Sequence, residues 1–237
     1  MSITHFTQNP ATVENILKHG FAWVPNKRNL IQTLIDGHDF SQREPQEFGM
    51  ISFTELESEN AERHRRDFGQ FGIVMTEEWV NRNNLQKVIY IDENGPVHEA
   101  LSELFKIGYR DLKTRIKQRD NNDSDMPFTN KQMAASIYGA KLWYNLLQLY
   151  EFLEPICNSY QHEWRLVQKD PLYGYKETKK GIIENVSPPK GWANVINVVK
   201  FNTKDVLGFV CPFEQKEKLL EVFPIEYKSH KISTFLA

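Results

Sequence analysis

The order of the secondary-structure patterns constrains the fold more than any other feature of the sequence. Strand-like segments and short helices fill the first 96 residues, helical patterns follow from Val97 to Leu153, and strand-like segments then return. This order does not alternate regularly, as a parallel α/β sheet requires, so it indicates the α+β class. We expect a single domain over 1–237, with a strand-rich half at 1–96, an inserted helical hairpin at 97–153 and a second strand-rich half at 154–237.

Local signals support these elements. Asn9 as N-cap, Pro10 at the first helical position and Gly20 just past the end predict the first helix. Further helices are expected over Glu57–Asp67, after Thr76, from Val97 to about Arg119, from Thr129 to at most Pro155, and over Phe213–Phe223. Strands are expected at Ile3–Phe6, Gly49–Phe53, Gly72–Met75, Lys87–Ile91, Glu163–Gln168, Val195–Phe201, Val206–Cys211 and Ile232–Phe235.

Composition restricts the functional class. Lys and Arg number 29 against 31 Asp and Glu, a net charge of -2, which argues against a general polyanion binder. The two cysteines, Cys157 and Cys211, favour a reducing cytoplasm over a disulfide scaffold. The first ten residues do not form a signal peptide, and no run approaches the roughly 20 apolar residues of a membrane-spanning helix. We expect a cytoplasmic protein with no membrane partner.

The common nucleotide, hydrolase and zinc motifs are absent, and the candidate residues come from less standard patterns. His5 and Thr7 end the first predicted strand and project to the same face. Ser52, Phe53 and Thr54 end a later strand. For these residues, the alternative is an ordinary place on the surface or in the core.

Basic and aromatic residues flank two glycines in the segment RHRRDFGQFGI. Gly69 and Gly72 indicate a sharp turn or a close backbone approach ahead of a strand. The run Arg63–Arg66 and the later basic residues of the long helix are compatible with a solvated surface or with nucleic-acid contact. Those later residues are Arg110, Lys113, Arg115, Lys117 and Arg119.

The segment HEWRLV places an acid and an arginine on one side of a strand. Glu163 and Arg165 share a face, whereas Trp164 and Leu166 face a core on the other side. An acid and an arginine are costly to bury unless they form an ion pair with each other or line a cleft. The two residues are therefore interpreted either as a structural salt bridge or as part of a functional site. His162 and Glu163 point to opposite faces, which argues against a shared metal ion.

Taken together, these segments resemble a known family. The opening HFT, the SFTEL block, RHRRDFGQFGIVM with TEEW after it, KVIYI, HEWRLV and VKFNTKDVLGFVCP occur in the same order as in AbiGi-type abortive-infection proteins of bacterial phage defence. The family pattern has Tyr where this chain has Phe68. The first strand and the late glutamate are also similar, more distantly, to DarT-like ADP-ribosyltransferases.

This resemblance implies a split β-sheet fold that clamps NAD as a substrate, without a metal. It implies Glu163 as the catalytic acid, with His5 as its catalytic partner. His5 and Thr7 would grip the adenosine-side ribose or the nicotinamide pocket wall, and Phe53 or Phe68 would stack on nicotinamide. The remaining implied NAD contacts are Ser52 and Thr54 in the pocket, and Arg165 or Arg63 on the pyrophosphate.

Three functions follow as expectations. The first is an ADP-ribosyltransferase-like toxin or effector that modifies a macromolecular acceptor, either a protein or a nucleic acid. The second is a non-enzymatic antitoxin or binding partner in an abortive-infection system. The third is a nucleic-acid-binding module, whose affinity would fall steeply with salt.

Overall fold

The structure is a computed structural model of the full chain. It describes residues 3–25, 49–55, 61–92, 94–121, 145–146, 148–167, 175–177, 183–185 and 198–235. Most of the predicted helix after Thr129 and the start of the predicted strand at Val195 lie outside these residues.

The described strands and helices follow one another as predicted for an α+β chain. The strands are β1 Ile3–Thr7, β2 Phe21–Ala22, β3 Val24–Pro25, β4 Gly49–Thr54, β5 Phe71–Met75, β6 Gln86–Lys87, β7 Ile89–Ile91, β8 Leu153–Pro155, β9 Glu163–Val167, β10 Tyr175–Glu177, β11 Ile183–Asn185, β12 Val198–Val199, β13 Val206–Pro212 and β14 Lys231–Phe235. The α-helices are α1 Pro10–His19, α2 Ala61–Phe68, α3 Glu77–Arg82, α4 Pro96–Asn121 and α5 Lys216–Val222. Short 3-10 helices span Ile156–Gln161, Thr203–Asp205, Phe213–Gln215 and Ile225–Tyr227.

The chain forms two compact units. The first comprises Met1–Asn26, Gln46–Val88 and Cys157–Ala237, and the second comprises Lys27–Pro45 and Ile89–Ile156. The second unit therefore contains the predicted 97–153 insertion together with flanking residues.

An eight-stranded, mostly antiparallel sheet is the centre of the first unit. Its strands lie in the order β14, β13, β5, β1, β4, β9 and β6, with β3 also paired to β4. Only the β13–β14 pair is parallel among the pairs of this sheet in the described residues. The predicted α+β class is confirmed, and the structure adds that the sheet is mostly antiparallel.

The two faces of this sheet differ. Because residues opposite each other in antiparallel strands share a face, the register fixes which side chains lie together. His5 opposes Ile73 and Phe53 opposes Trp164. We call the side of the sheet that carries these four side chains the core face. Its buried residues pack against Val13, Ile16 and Leu17 of α1.

The other side of the sheet is the polar face. Thr4 opposes Thr54, Thr54 opposes Glu163, and Ser52 opposes Arg165. Helix α2 packs on this side, where the ring of His64 lies 4.9 Å from the ring of Phe6.

Helix α1 forms where the sequence predicts it. The Asn9 side chain accepts a hydrogen bond from the Thr12 amide at 2.9 Å, which satisfies one free N–H of the first turn. Pro10 begins the helix, and the amide of Gly20, at φ 97°, closes the helix on the carbonyl of Ile16.

The predicted strand Lys87–Ile91 is wrong as a single element. The chain changes strand partner at Val88, whose amide donates to the Glu163 carbonyl. Gln86–Lys87 pairs with β9, whereas Ile89–Ile91 pairs in parallel with Leu153–Pro155 in the second unit. The sequence pattern does not reveal a change of partner, because Val88 and Ile91 are both buried and nothing in the run KVIYI marks a break.

The described part of the second unit consists of this β7–β8 pair, the long helix α4 and a short helical stretch at 145–146 and 148–150. Phe105 of α4 is fully buried and lies 6.1 Å, ring to ring, from Tyr150. Across the described helices, none combines the length and apolarity needed to cross a membrane.

Candidate functional site

A buried ion pair lies on the polar face, on strand β9. The Arg165 Nε donates to Glu163 Oε1 at 2.9 Å, and its Nη2 donates to Oε2 at 2.8 Å. The two side chains are 1% and 9% exposed. A two-point contact of this kind is the strongest geometry for an arginine and a carboxylate, and it offsets part of the cost of removing both charges from water.

Ser52 provides a third hydrogen bond to the same carboxylate. It lies on the neighbouring strand β4, and its hydroxyl donates to Glu163 Oε1 at 2.5 Å. Thr54, two residues on, donates from its hydroxyl to the Gln161 carbonyl, in the segment that leads into β9. The structure therefore brings together four predicted site residues, Ser52, Thr54, Glu163 and Arg165.

The backbone just before Glu163 is strained. His162 has φ 41°, in the left-handed region that residues other than glycine rarely adopt. Its carbonyl accepts a hydrogen bond from the Glu55 amide at 3.1 Å, which ties this turn to the end of β4. Strain of this kind persists only when the surroundings hold it, and it is found often at functional sites.

Arg63 of α2 lies beside the same segment. Its guanidinium carbon is 3.5 Å from the centre of the Tyr160 ring, and its side chain is 54% exposed. The Tyr160 hydroxyl donates to Asp67 Oδ2 at 2.8 Å, and this hydrogen bond is the main reason why the pKa of Asp67 is lowered. Gln161 Nε2 donates to the Tyr160 hydroxyl at 3.3 Å.

Phe68 lies at the end of α2, half-buried against His64, with ring centres 4.6 Å apart. Burial lowers the pKa of His64 to about 4. Within the described part of the chain, His64 Nδ1 is buried and has no hydrogen-bond partner. Neutral His64 and Phe68 thus form an aromatic pair on the polar face.

His5 lies on the core face. Its ring is 5.0 Å from Phe21 and 5.5 Å from Phe53, and its Nδ1 is 2.8 Å from the Ser52 carbonyl oxygen. Burial lowers the pKa of His5, against the opposing effect of that hydrogen bond, so the imidazole is neutral. The sheet thus places His5 and Phe53 on the opposite side from Glu163, contrary to the expected single crevice.

Thr7 ends β1 on the same side as His5. Its hydroxyl donates to the Asn9 carbonyl at 3.2 Å, next to the start of α1.

The backbone carbonyl of Thr7 also explains why a glycine follows α2. Gly69 has φ 118°, and a Cβ there would collide with this carbonyl, so the predicted close backbone approach is observed.

The basic run of α2 is partly engaged by its neighbours. Arg65 lies over the Phe235 ring at 3.9 Å, and Arg66 Nε donates to Asp67 at 3.3 Å. Of the other basic residues named above, Arg110 on α4 is exposed. A nucleic-acid role for these residues stays a prediction.

Sequence reasoning missed Tyr160, Gln161 and Asp67. Each has a polar side chain that links α2 to the start of β9. Asp67 lies within the segment RHRRDFGQFGI, but nothing in that segment singles out its carboxylate, and Asp67 is 93 residues from Tyr160. The one available signal was the position of Tyr160 three residues before Glu163. In the described residues no group of three or more His, Cys, Asp or Glu side chains is placed to hold a metal ion.

Comparison of the chain with protein-family models, with curated proteins and with solved structures gives no match.

Proposed function

We propose that this protein is an ADP-ribosyltransferase-like effector of bacterial anti-phage defence, which transfers ADP-ribose from NAD to a macromolecular acceptor in the cytoplasm. The family resemblance described above motivates the proposal, together with an ADP-ribosyltransferase-like split sheet as the fold. The observation that carries it is the Glu163 carboxylate, which is held by Arg165 of the same strand and by Ser52 of the adjacent strand.

The chemistry suits a fixed carboxylate. Cleavage of the bond between nicotinamide and ribose develops positive charge on the ribose, as glycoside hydrolysis does. A carboxylate that is already oriented stabilises this charge more in the transition state than in the ground state. Glu163 would supply the negative charge that faces the ribose. The bond between nicotinamide and the ribose carbon breaks, the acceptor's nucleophilic atom bonds to the same carbon, and the acceptor's proton passes to solvent.

The other NAD contacts would come from residues on or beside the polar face. Thr54 lies directly opposite Glu163, and Arg63 is the more exposed of the two arginines that were predicted to bind the pyrophosphate. Phe68 is the aromatic candidate on this side. In this proposal His5, Thr7 and Phe53 act through the core beneath the site rather than by touching NAD.

The experiment is a calorimetric titration of the purified protein with NAD, combined with expression in bacteria. We expect saturable NAD binding that raises the thermal midpoint by mass action, and growth arrest on expression. The variant Glu163→Asp keeps the charge but withdraws the carboxylate, and it should relieve growth arrest while folding normally. Absence of NAD binding, or equal toxicity of Glu163→Asp, would contradict the proposal.

A second candidate is the non-enzymatic antitoxin or binding partner. The observation that favours it is the near-complete burial of the Glu163–Arg165 pair, which is also what a structural ion pair requires. This candidate predicts no NAD binding, harmless expression alone, and co-purification with a toxin partner. The titration above therefore separates the two candidates.

A further inference from the structure

Arg165 does not have the geometry of a phosphate ligand. Its Nε and Nη2 both point to Glu163, and its side chain is almost completely buried. An arginine that binds a pyrophosphate presents its guanidinium edge to the ligand. In Arg165 the Nε–Nη2 edge faces the carboxylate of its own strand, and burial keeps the rest of the guanidinium from solvent.

We propose that Arg165 is a positioning residue that fixes the orientation of Glu163, and that Arg63 is the arginine that meets the substrate's phosphates. This inference rests on the proposed function, because it assigns roles within the same site. The reassignment separates two residues that the sequence could not distinguish.

The positioning role follows from the number and direction of the hydrogen bonds. Two parallel N–H bonds from a planar guanidinium fix both the place of the carboxylate and its rotation. Ser52 approaches from the adjacent strand and holds Oε1 a second time. Ser52 lies on β4 and Arg165 on β9, two neighbouring strands that are each paired on both sides, and such strands are more rigid supports than loops.

Lysine at position 165 keeps the charge but has a single nitrogen in place of the fork. We therefore expect Arg165→Lys to lower kcat for nicotinamide release about 100-fold, because small misplacements of a reacting group have effects of this size. KM for NAD should stay within about twofold, because positioning acts on the chemical step.

Arg63→Ala is the matched comparison, since it removes an arginine that is 54% exposed although it stacks on Tyr160 and lies 4.0 Å from Asp67. We expect the opposite division, with KM for NAD raised about tenfold and kcat nearly unchanged. If Arg165 had only a structural role, Arg165→Lys would lower the amount of folded protein, and the folded molecules would not show a low kcat at unchanged KM. Thermal midpoints of both variants therefore accompany the kinetics.

Ser52→Ala covers the case in which Arg165→Lys fails to fold. Ser52 is partly exposed, and its loss removes only the third hold on Glu163. We expect kcat to fall about tenfold at unchanged KM, in line with the removal of one oriented donor.

The outcomes are distinguishable. If the wild-type protein releases no nicotinamide from NAD, the proposed function is wrong and this inference falls with it. If the wild type is active, a folded Arg165→Lys that raises KM at normal kcat overturns only the positioning role. Normal kcat in both folded Arg165→Lys and Ser52→Ala would do the same.

Discussion

The two faces of the central sheet use the same strands for different purposes. On the core face, His5 is neutral and packs against Phe21 and Phe53. On the polar face, Glu163 keeps a charge partner and a hydroxyl donor. Alternation along β4 sends Phe53 to one side and Ser52 to the other. Neighbouring residues of one sequence motif can therefore lie on opposite faces of a sheet and need not belong to the same site.

The difference also reflects the cost of burial. A neutral imidazole needs only one hydrogen bond to be tolerated among aromatic rings, and the Ser52 carbonyl provides it. A carboxylate in the same degree of burial needs an opposite charge and further donors. The polar face supplies these, and the core face does not within the described residues.

The largest expected effect comes from breaking the ion pair. Glu163→Ala leaves Arg165 buried without its carboxylate, and we expect the free energy of unfolding to fall by about 4 kcal/mol. Urea denaturation measures this. Replacing both residues, as Glu163→Ala with Arg165→Met, should recover most of the loss.

Lys18→Ala is the control for this prediction, because Lys18 and Glu14 form an exposed pair at 2.5 Å on α1. We expect a change of less than about 0.5 kcal/mol. If breaking the two ion pairs changed the free energy of unfolding equally, burial of the Glu163–Arg165 pair would not increase the cost of breaking it.

Next in size is the removal of His5. His5→Ala leaves a space beside Phe21 and Phe53, and we expect a loss of about 2 kcal/mol in unfolding free energy. Nicotinamide release per folded molecule should persist, because His5 lies across the sheet from Glu163. If His5→Ala lost turnover at normal stability, the His5 imidazole would take part in the reaction. That result would contradict the assignment of the reaction to the polar face alone.

The smallest effect concerns pH and His64, the buried imidazole of the polar face. Its folded-state pKa of about 4 lies below the ordinary 6.5, so the unfolded chain takes up the proton first as pH falls. Stability from the neutral His64 is complete above about pH 6.5 and is lost toward pH 4. His64→Phe should reduce the drop in unfolding free energy between pH 7 and pH 5 by roughly 1 kcal/mol, with allowance for screening.

Denaturation curves at the two pH values measure the effect. A His64→Phe protein with the wild-type dependence would show that His64 does not remain neutral.

Much of the fold could be predicted because its signals are local. The Asn9 cap, Pro10 and Gly20 fix α1, and alternation in HEWRLV correctly puts Glu163 and Arg165 on one face. Two-residue strands such as β2 and β12 have too few residues to show a period.

The relation between His5 and Glu163 was not predictable, for a physical reason. Strand β1 is buried on both sides, with Ile3 on the core face and Phe6 on the polar face. Its alternation therefore does not distinguish inside from outside. The faces became known only from the register, which pairs Thr4 with Thr54 and Thr54 with Glu163.

The most direct test measures nicotinamide release from NAD by three purified proteins, the wild type, Glu163→Asp and His5→Ala, at equal concentrations of folded protein. The account predicts that Glu163→Asp loses at least about 100-fold in kcat because its carboxylate is withdrawn from the ribose. His5→Ala should keep the wild-type kcat. Full activity of Glu163→Asp, or loss confined to His5→Ala, would contradict the claim that the polar face carries the reaction.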